Sequence, residues 1–98
     1  MLDKMFCPSV LQAVPGKGYS VYAYMNDGSV HLFDMSSLMA EPKGIFKQIA
    51  DLEVFRNQLT VMNGTVAWDI SKTRDSHNCI DIDPCEIYAA PISKDPLE

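Results

Sequence analysis

The sequence predicts a small α+β domain: one antiparallel sheet built from two β-hairpins and an N-terminal strand, with short helices between the hairpins packed on one face. Three observations predict it. Two alternating apolar runs each bracket a tight-turn dipeptide, Asp27-Gly28 and Asn63-Gly64, which tolerate the positive φ angles of a two-residue hairpin turn. Between the hairpins, Phe46, Ile49, Leu52 and Phe55 recur every three residues among polar neighbours, a helical spacing. The 98 residues, 47% hydrophobic, suffice for one domain with a single modest core, read as 1–98 with its ordered part over about 8–90.

The first element is Pro8-Ser9-Val10-Leu11-Gln12-Ala13-Val14, a strand stopped by the turn cluster Pro15-Gly16-Lys17-Gly18. Pro8 has no N–H to donate and so belongs at its start or edge. It leads into the hairpin Tyr19-Ser-Val-Tyr-Ala-Tyr-Met and Ser29-Val-His-Leu-Phe-Asp, completing a three-stranded meander. With Asp27-Gly28 as a two-residue turn, Met25 faces Val30, Ala23 faces Leu32 and Val21 faces Asp34, while Tyr24 with His31 and Tyr22 with Phe33 share the opposite side. A three-residue Asn26-Asp27-Gly28 loop would shift this register by one.

Ser36 or Ser37 can cap a short helical turn through Leu38, Met39 and Ala40, broken by Pro42-Lys43-Gly44. Phe46 to Phe55 then form one or two amphipathic helices, with Asp51 as a cap between turns and Asn57 as a stop. In the second hairpin, counting outward from Asn63-Gly64 pairs Val61 with Val66 and Leu59 with Trp68. Leu59, Val61, Val66, Trp68 and Ile70 therefore share a core face, and the indole N–H of Trp68 needs a partner there. Residues 71–78 read as an exposed loop. Cys79-Ile80-Asp81-Ile82-Asp83 alternates as an edge strand with Asp81 and Asp83 outward, where acids discourage edge-to-edge pairing. Ile87-Tyr88-Ala89-Ala90-Pro91 is a last apolar piece, and the tail from Ser93 is expected to fray.

The net charge of −5 is unevenly spread. Up to Trp68, six acids face five bases; from Asp69 onward, seven acids face three bases. Such a C-terminal third repels phosphate backbones, which argues against stand-alone nucleic-acid binding and permits a basic protein partner; solubility alone also accounts for it. No apolar run of about 18 residues could span a bilayer, and the start lacks the apolar stretch of a signal peptide, so no membrane association and a cytoplasmic location are expected. Three cysteines, Cys7, Cys79 and Cys85, in such a chain are expected to be reduced.

Little in the chain has the pattern of catalysis. His77, Cys79 and Cys85 are of zinc-ligand type at a spacing that fits no zinc motif. Asp75 and Glu86 have the separation of the ends of a calcium loop, but His77, Cys79 and Ile80 replace the intervening oxygen donors and glycine. His31 and His77 lack the context of a nucleophilic site, and Gly16 and Gly18 do not lie between a strand and a helix as a phosphate loop would. Asp81 and Asp83 read as a solvated strand face before they read as an acid–base pair. No enzyme, cofactor or metal is expected. The unusual feature is an aromatic hairpin face, Tyr22, Tyr24, His31 and Phe33, where a sheet with one core face is ordinarily polar. Tyrosine-rich faces of this kind serve as binding surfaces, or are covered by another part of the same chain.

Pro8 and Val10, the Val21-Ala23-Met25 alternation, Asp27-Gly28, Leu32-Phe33-Asp34, Gly44 with Phe46, Phe55, Asn63-Gly64, Trp68-Asp69 and Asp81-Ile82-Asp83-Pro84 with Ile87-Tyr88 together resemble the bacterial domain of unknown function 2442 family. The similarity runs from about Pro8 to Tyr88; residues 71–78 look longer than the direct link of many members. Members of that family are small α+β proteins, many encoded beside a second small protein as toxin–antitoxin pairs, and some with an appended helix-turn-helix for which this chain has no room. The resemblance implies an antitoxin-like role, masking a small partner protein encoded nearby, and the acidic C-terminal third suits a basic one. Tyr22, Tyr24, His31 and Phe33 would then form the interface, with Asp81, Asp83 and Glu86 as charge complement. The rival expectation is a small-molecule-binding regulatory domain with a pocket between helices and sheet, lined by Trp68, Phe46 and Phe55. Homo-oligomerisation through a sheet edge is compatible with both.

Overall fold

The computed structural model describes residues 8–69 and 79–94. Its strands form two three-stranded antiparallel sheets, β1-β2-β3 and β4-β5-β6 in spatial order, so the α+β class is the one predicted, with the strands divided between two layers. The first sheet is the expected meander of β1 (Val10–Pro15), β2 (Ser20–Met25) and β3 (Val30–Asp34). A bulge between Val10 and Gln12 lets Val10 enter the core while Leu11 is 67% exposed.

The first hairpin takes the shifted register. Tyr24 pairs with Val30, Ala23 with His31, Tyr22 with Leu32 and Val21 with Phe33. The loop is the three residues Asn26-Asp27-Gly28: the Gly28 N–H donates to the Met25 carbonyl (3.1 Å), and the Met25 N–H to the Ser29 carbonyl (2.8 Å). Only Gly28 of the three takes a positive φ, +90°. Asp27 is held out of the left-handed region because its Oδ1 accepts from the Ser29 N–H (2.9 Å) and hydroxyl (2.5 Å). The second hairpin, β4 (Leu59–Met62) and β5 (Thr65–Asp69), has the register counted from the sequence, Leu59 with Trp68 and Val61 with Val66. Here Asn63 (φ 57°) and Gly64 (φ 74°) are both left-handed, as a two-residue turn requires.

Three short α-helices lie among the described residues. In α1 (Ser36–Ala40), neither serine is the cap; Asp34 Oδ1 accepts from the N–H (2.9 Å) and hydroxyl (2.7 Å) of Ser36. A 3-10 helix (Gly44–Ile49) follows, then α2 (Leu52–Asn57), where Asp51 is the expected cap, accepting from the Glu53 N–H at 2.9 Å. Ile49 and Phe55 are fully buried and Phe46 packs on the core, whereas Leu52, in the first turn of α2, is 40% exposed. The edge strand β6 (Cys79–Asp81) pairs with β5, and Ile80 and Ile82 are buried while Asp81 and Asp83 are exposed. Pro84 opens α3 (Pro84–Tyr88), whose cap is Asp83.

The sheets share one core, to which Val10, Val21, Ala23 and Met25 contribute from the first, Val66, Trp68 and Ile80 from the second, and Met39, Phe55 and Ile87 from the helices. The Val10 N–H to Gly64 carbonyl bond (2.8 Å) fastens β1 to the second hairpin's turn. After α3 the chain runs along the free side of β3: the Leu32 N–H donates to the Pro91 carbonyl (2.9 Å) and the Ser93 N–H to the Val30 carbonyl (2.8 Å). Ser93 is therefore tied rather than frayed. The predicted loop 71–78 and the last four residues lie outside the described residues.

Candidate protein-binding face

Register decides which side chains of the first sheet are displayed, because paired residues share a face. One face carries Val21, Ala23 and Met25 with Phe33 and His31, and it turns to the core: the first three are buried, His31 is 3% exposed, and Phe33 packs on the core cluster. The aromatic quartet is thus divided. Tyr22 and Tyr24 lie on the outer face, His31 and Phe33 on the inner one, because the three-residue loop moved β3 by one position.

The outer face has other members, arranged in two rows across the strands. Val14, Tyr22 and Leu32 form one, and Gln12, Tyr24 and Val30 the other. Five of these six are aliphatic or aromatic; Val14, Tyr22, Tyr24 and Leu32 are half-buried, and Gln12 is exposed. Val30 lies lowest in the surface, at 8% exposure. The Tyr22 ring leans on the β1–β2 turn, where a Cβ built on Gly16 would come within 3.0 Å of the ring. The Gly16 carbonyl in turn accepts from the Arg56 guanidinium, which ties the turn to α2. Leu32 was missed as a surface member because the two-residue turn assigned it to the core, and counting Asn26 into the loop would have found it; Val30 is buried as expected, though its register places it on the outer side of the sheet, and Val14 was not assigned to a face.

The acidic residues serve local structure as well as surface charge. Asp83 Oδ1 accepts from the Cys85 N–H at 2.8 Å as cap of α3, Glu86 is exposed in the first turn of that helix, and Asp81 is exposed on β6. Two other carboxylates are shifted. Hydrogen bonds from Ser29 and then from Tyr88 lower the Asp27 carboxyl from its ordinary 3.8 to about 2, and the two bonds from Ser36 lower Asp34. The Tyr88 hydroxyl donates to Asp27 Oδ2 (2.7 Å), which raises its own pKa.

Trp68 and Phe55 are both fully buried, with ring centroids 5.2 Å apart, and Tyr19 meets Phe55 edge-on at 5.0 Å. Of the residues expected to line a pocket, Trp68 and Phe55 are core side chains in contact with each other, and Phe46 is packed against the same cluster. Among the described residues no group of three His, Cys, Asp or Glu is arranged to hold a metal ion; His77 lies outside them. Nor is any helix among them long and apolar enough to cross a membrane.

The comparison that identifies the chain is with family models: the one described as "Protein of unknown function (DUF2442)" matches residues 10–93. The chain belongs to that family. The DUF2442 match begins at the first residue of β1 and ends at Ser93, the last residue hydrogen-bonded to the edge of β3, so it takes in both sheets and the trailing segment. Searches of curated proteins and of solved structures found no match.

Proposed function

We propose that this DUF2442 domain works by binding another protein through the outer face of its first sheet, as the antitoxin-like half of a bacterial pair that masks a small basic partner. The observation that carries this reading is the pair of cross-strand rows, Val14–Tyr22–Leu32 and Gln12–Tyr24–Val30. A sheet with its other face in the core is ordinarily polar outside, and here only one of six positions is. Tyrosine buries much area on association at small entropic cost and keeps a hydroxyl for hydrogen bonding, which suits Tyr22 and Tyr24 to the centre of an interface. The net charge of −5, with Asp81 and Glu86 exposed, favours a basic partner through long-range attraction. Co-expression with the protein encoded next to it, followed by native mass determination, tests the proposal. A mixed complex supports it; this chain recovered alone, as monomer or homo-oligomer, counts against it.

A further inference from the structure

Leu11 reaches the outer side of β1 through a bulge. Gln12, Ala13 and Val14 pair with Tyr24, Ala23 and Tyr22, so a regular strand in that register would bring Leu11 opposite Met25, on the core side. Instead Val10 takes Met25 as its partner, and Leu11 and Gln12 together stand opposite Tyr24. The exchange buries the smaller side chain and leaves the larger one 67% exposed. Burial alone favours the reverse, because a leucine removes more apolar area from water than a valine does. What the bulge adds is a prominent aliphatic side chain at one end of the outer face, beside the row of Gln12, Tyr24 and Val30.

That end of the face is the acidic one. The Asn26 N–H donates to the Ser9 carbonyl (2.9 Å) and the Tyr88 hydroxyl to Asp27 Oδ2 (2.7 Å), which gathers the first hairpin loop, the start of β1 and α3. Asp27, Asp83 and Glu86 are exposed there. Lys94, next after the Ser93 whose N–H bonds to the Val30 carbonyl, offsets one of these three charges. The opposite end differs: Lys17 is exposed in the β1–β2 turn, and the Arg56 guanidinium donates to the Gly16 carbonyl beside it.

We propose that Leu11 is the anchor of the protein-binding face: it enters an apolar hollow on the partner whose rim carries lysine or arginine, and that rim meets Asp27, Asp83 and Glu86. The assignment rests on the outer face being the protein-binding one, and it adds how the partner is turned. The apolar rows run the length of the face, but only one end attracts cations, so the partner's basic side lies over the hairpin loop and not over the β1–β2 turn. A second copy of this chain is a poor occupant, since each copy carries a net −5.

Binding to the protein encoded beside this chain tests the anchor, with the thermal midpoint of each variant measured alongside. Leu11→Ala should weaken affinity about tenfold, as burial of one leucine side chain implies, and leave the midpoint within about 2 °C. Leu11→Met, which keeps the volume, should bind within about twofold of the unmodified chain. Glu86→Gln and Glu41→Gln change the net charge equally, but Glu41 follows α1 at the end where the Met35 N–H bonds to the Tyr19 carbonyl, away from the hairpin loop. At low salt Glu86→Gln should therefore slow association about twofold and Glu41→Gln hardly at all. Weakened binding in Tyr22→Ala with Tyr24→Ala but not in Leu11→Ala would overturn the anchor and leave the binding face standing. Equal association rates in the two glutamate variants would overturn the orientation, and the lack of any complex with the unmodified chain would remove face and anchor together.

Discussion

The indole N–H of Trp68 donates to the Phe55 carbonyl at 2.8 Å, joining β5 near its end to the last turn of α2. It answers the need that a buried indole creates, and it fixes the helix layer against the second sheet. Replacing Trp68 by Phe removes the donor and leaves a void among side chains that are fully buried. Urea unfolding should show a loss of about 2–4 kcal/mol with little change in slope. A loss under about 1 kcal/mol would mean that the ring is not a centre of the core.

The second hairpin turn depends on left-handed backbone rather than on space. A Cβ on Gly64 meets nothing closer than 3.5 Å, from Ser9, yet its φ is +74°. Gly64→Ala is therefore expected to cost about 1–2 kcal/mol in equilibrium unfolding, through strain alone. Equal stability of the two proteins would argue against the two-residue turn.

Asp83 begins α3 and so brings Ile87 into the core and Tyr88 to Asp27. Asp83→Ala should destabilise by about 1 kcal/mol, whereas Asp83→Asn, which keeps an acceptor oxygen, should cost only a few tenths. Denaturant melts of the pair check this; equal losses would show that the cap is not what matters.

The Asp27 carboxyl is lowered from 3.8 to about 2 by the Ser29 and Tyr88 hydrogen bonds. A depressed carboxylate stabilises the fold above its unfolded value and loses that contribution as pH falls through its folded value. The thermal midpoint of the unmodified protein should therefore exceed that of Asp27→Asn at neutral pH, and the gap should close between about pH 4 and 2. A gap unchanged down to pH 2 would contradict the assignment.

How legible this was in the sequence differs between two similar turns. At Asn63-Gly64 both residues take positive φ, so counting outward put each pair where it is. At Asp27-Gly28 the same count failed because the Asp27 carboxylate bonds to Ser29, holds Asp27 out of the left-handed region and recruits Asn26 into the loop. That one-residue slip exchanged the surroundings of His31 and Leu32. The cap of α2 by Asp51 was readable from local chemistry alone. The cap of α3 was present as Asp83-Pro84 with Glu86 three positions on, a helix start hidden because the alternation up to Asp83 reads as a strand and Ile87 to Pro91 as no more than a short apolar piece. The bonds from His31 to Ala90 and from Tyr88 to Asp27 span 59 and 61 residues, and no local pattern announces them.

Phe33 and Leu32 give the register a direct test. Phe33 packs on the core and Leu32 belongs to the outer row, so Phe33→Ala should lose about 2–3 kcal/mol and Leu32→Ala about 1 kcal/mol or less. The reverse ranking in denaturant unfolding would restore the two-residue turn and the undivided aromatic quartet.

The claim that the outer face binds a protein is tested most directly by the affinity of Tyr22→Ala with Tyr24→Ala for the protein encoded beside this chain, measured together with the thermal midpoint. The account predicts binding weakened by about tenfold or more, with the midpoint moved by no more than the roughly 4–8 °C that about 1 kcal/mol represents in a domain of this size. Unchanged affinity would contradict it, and so would a collapse of the midpoint, which would make these two rings part of the core.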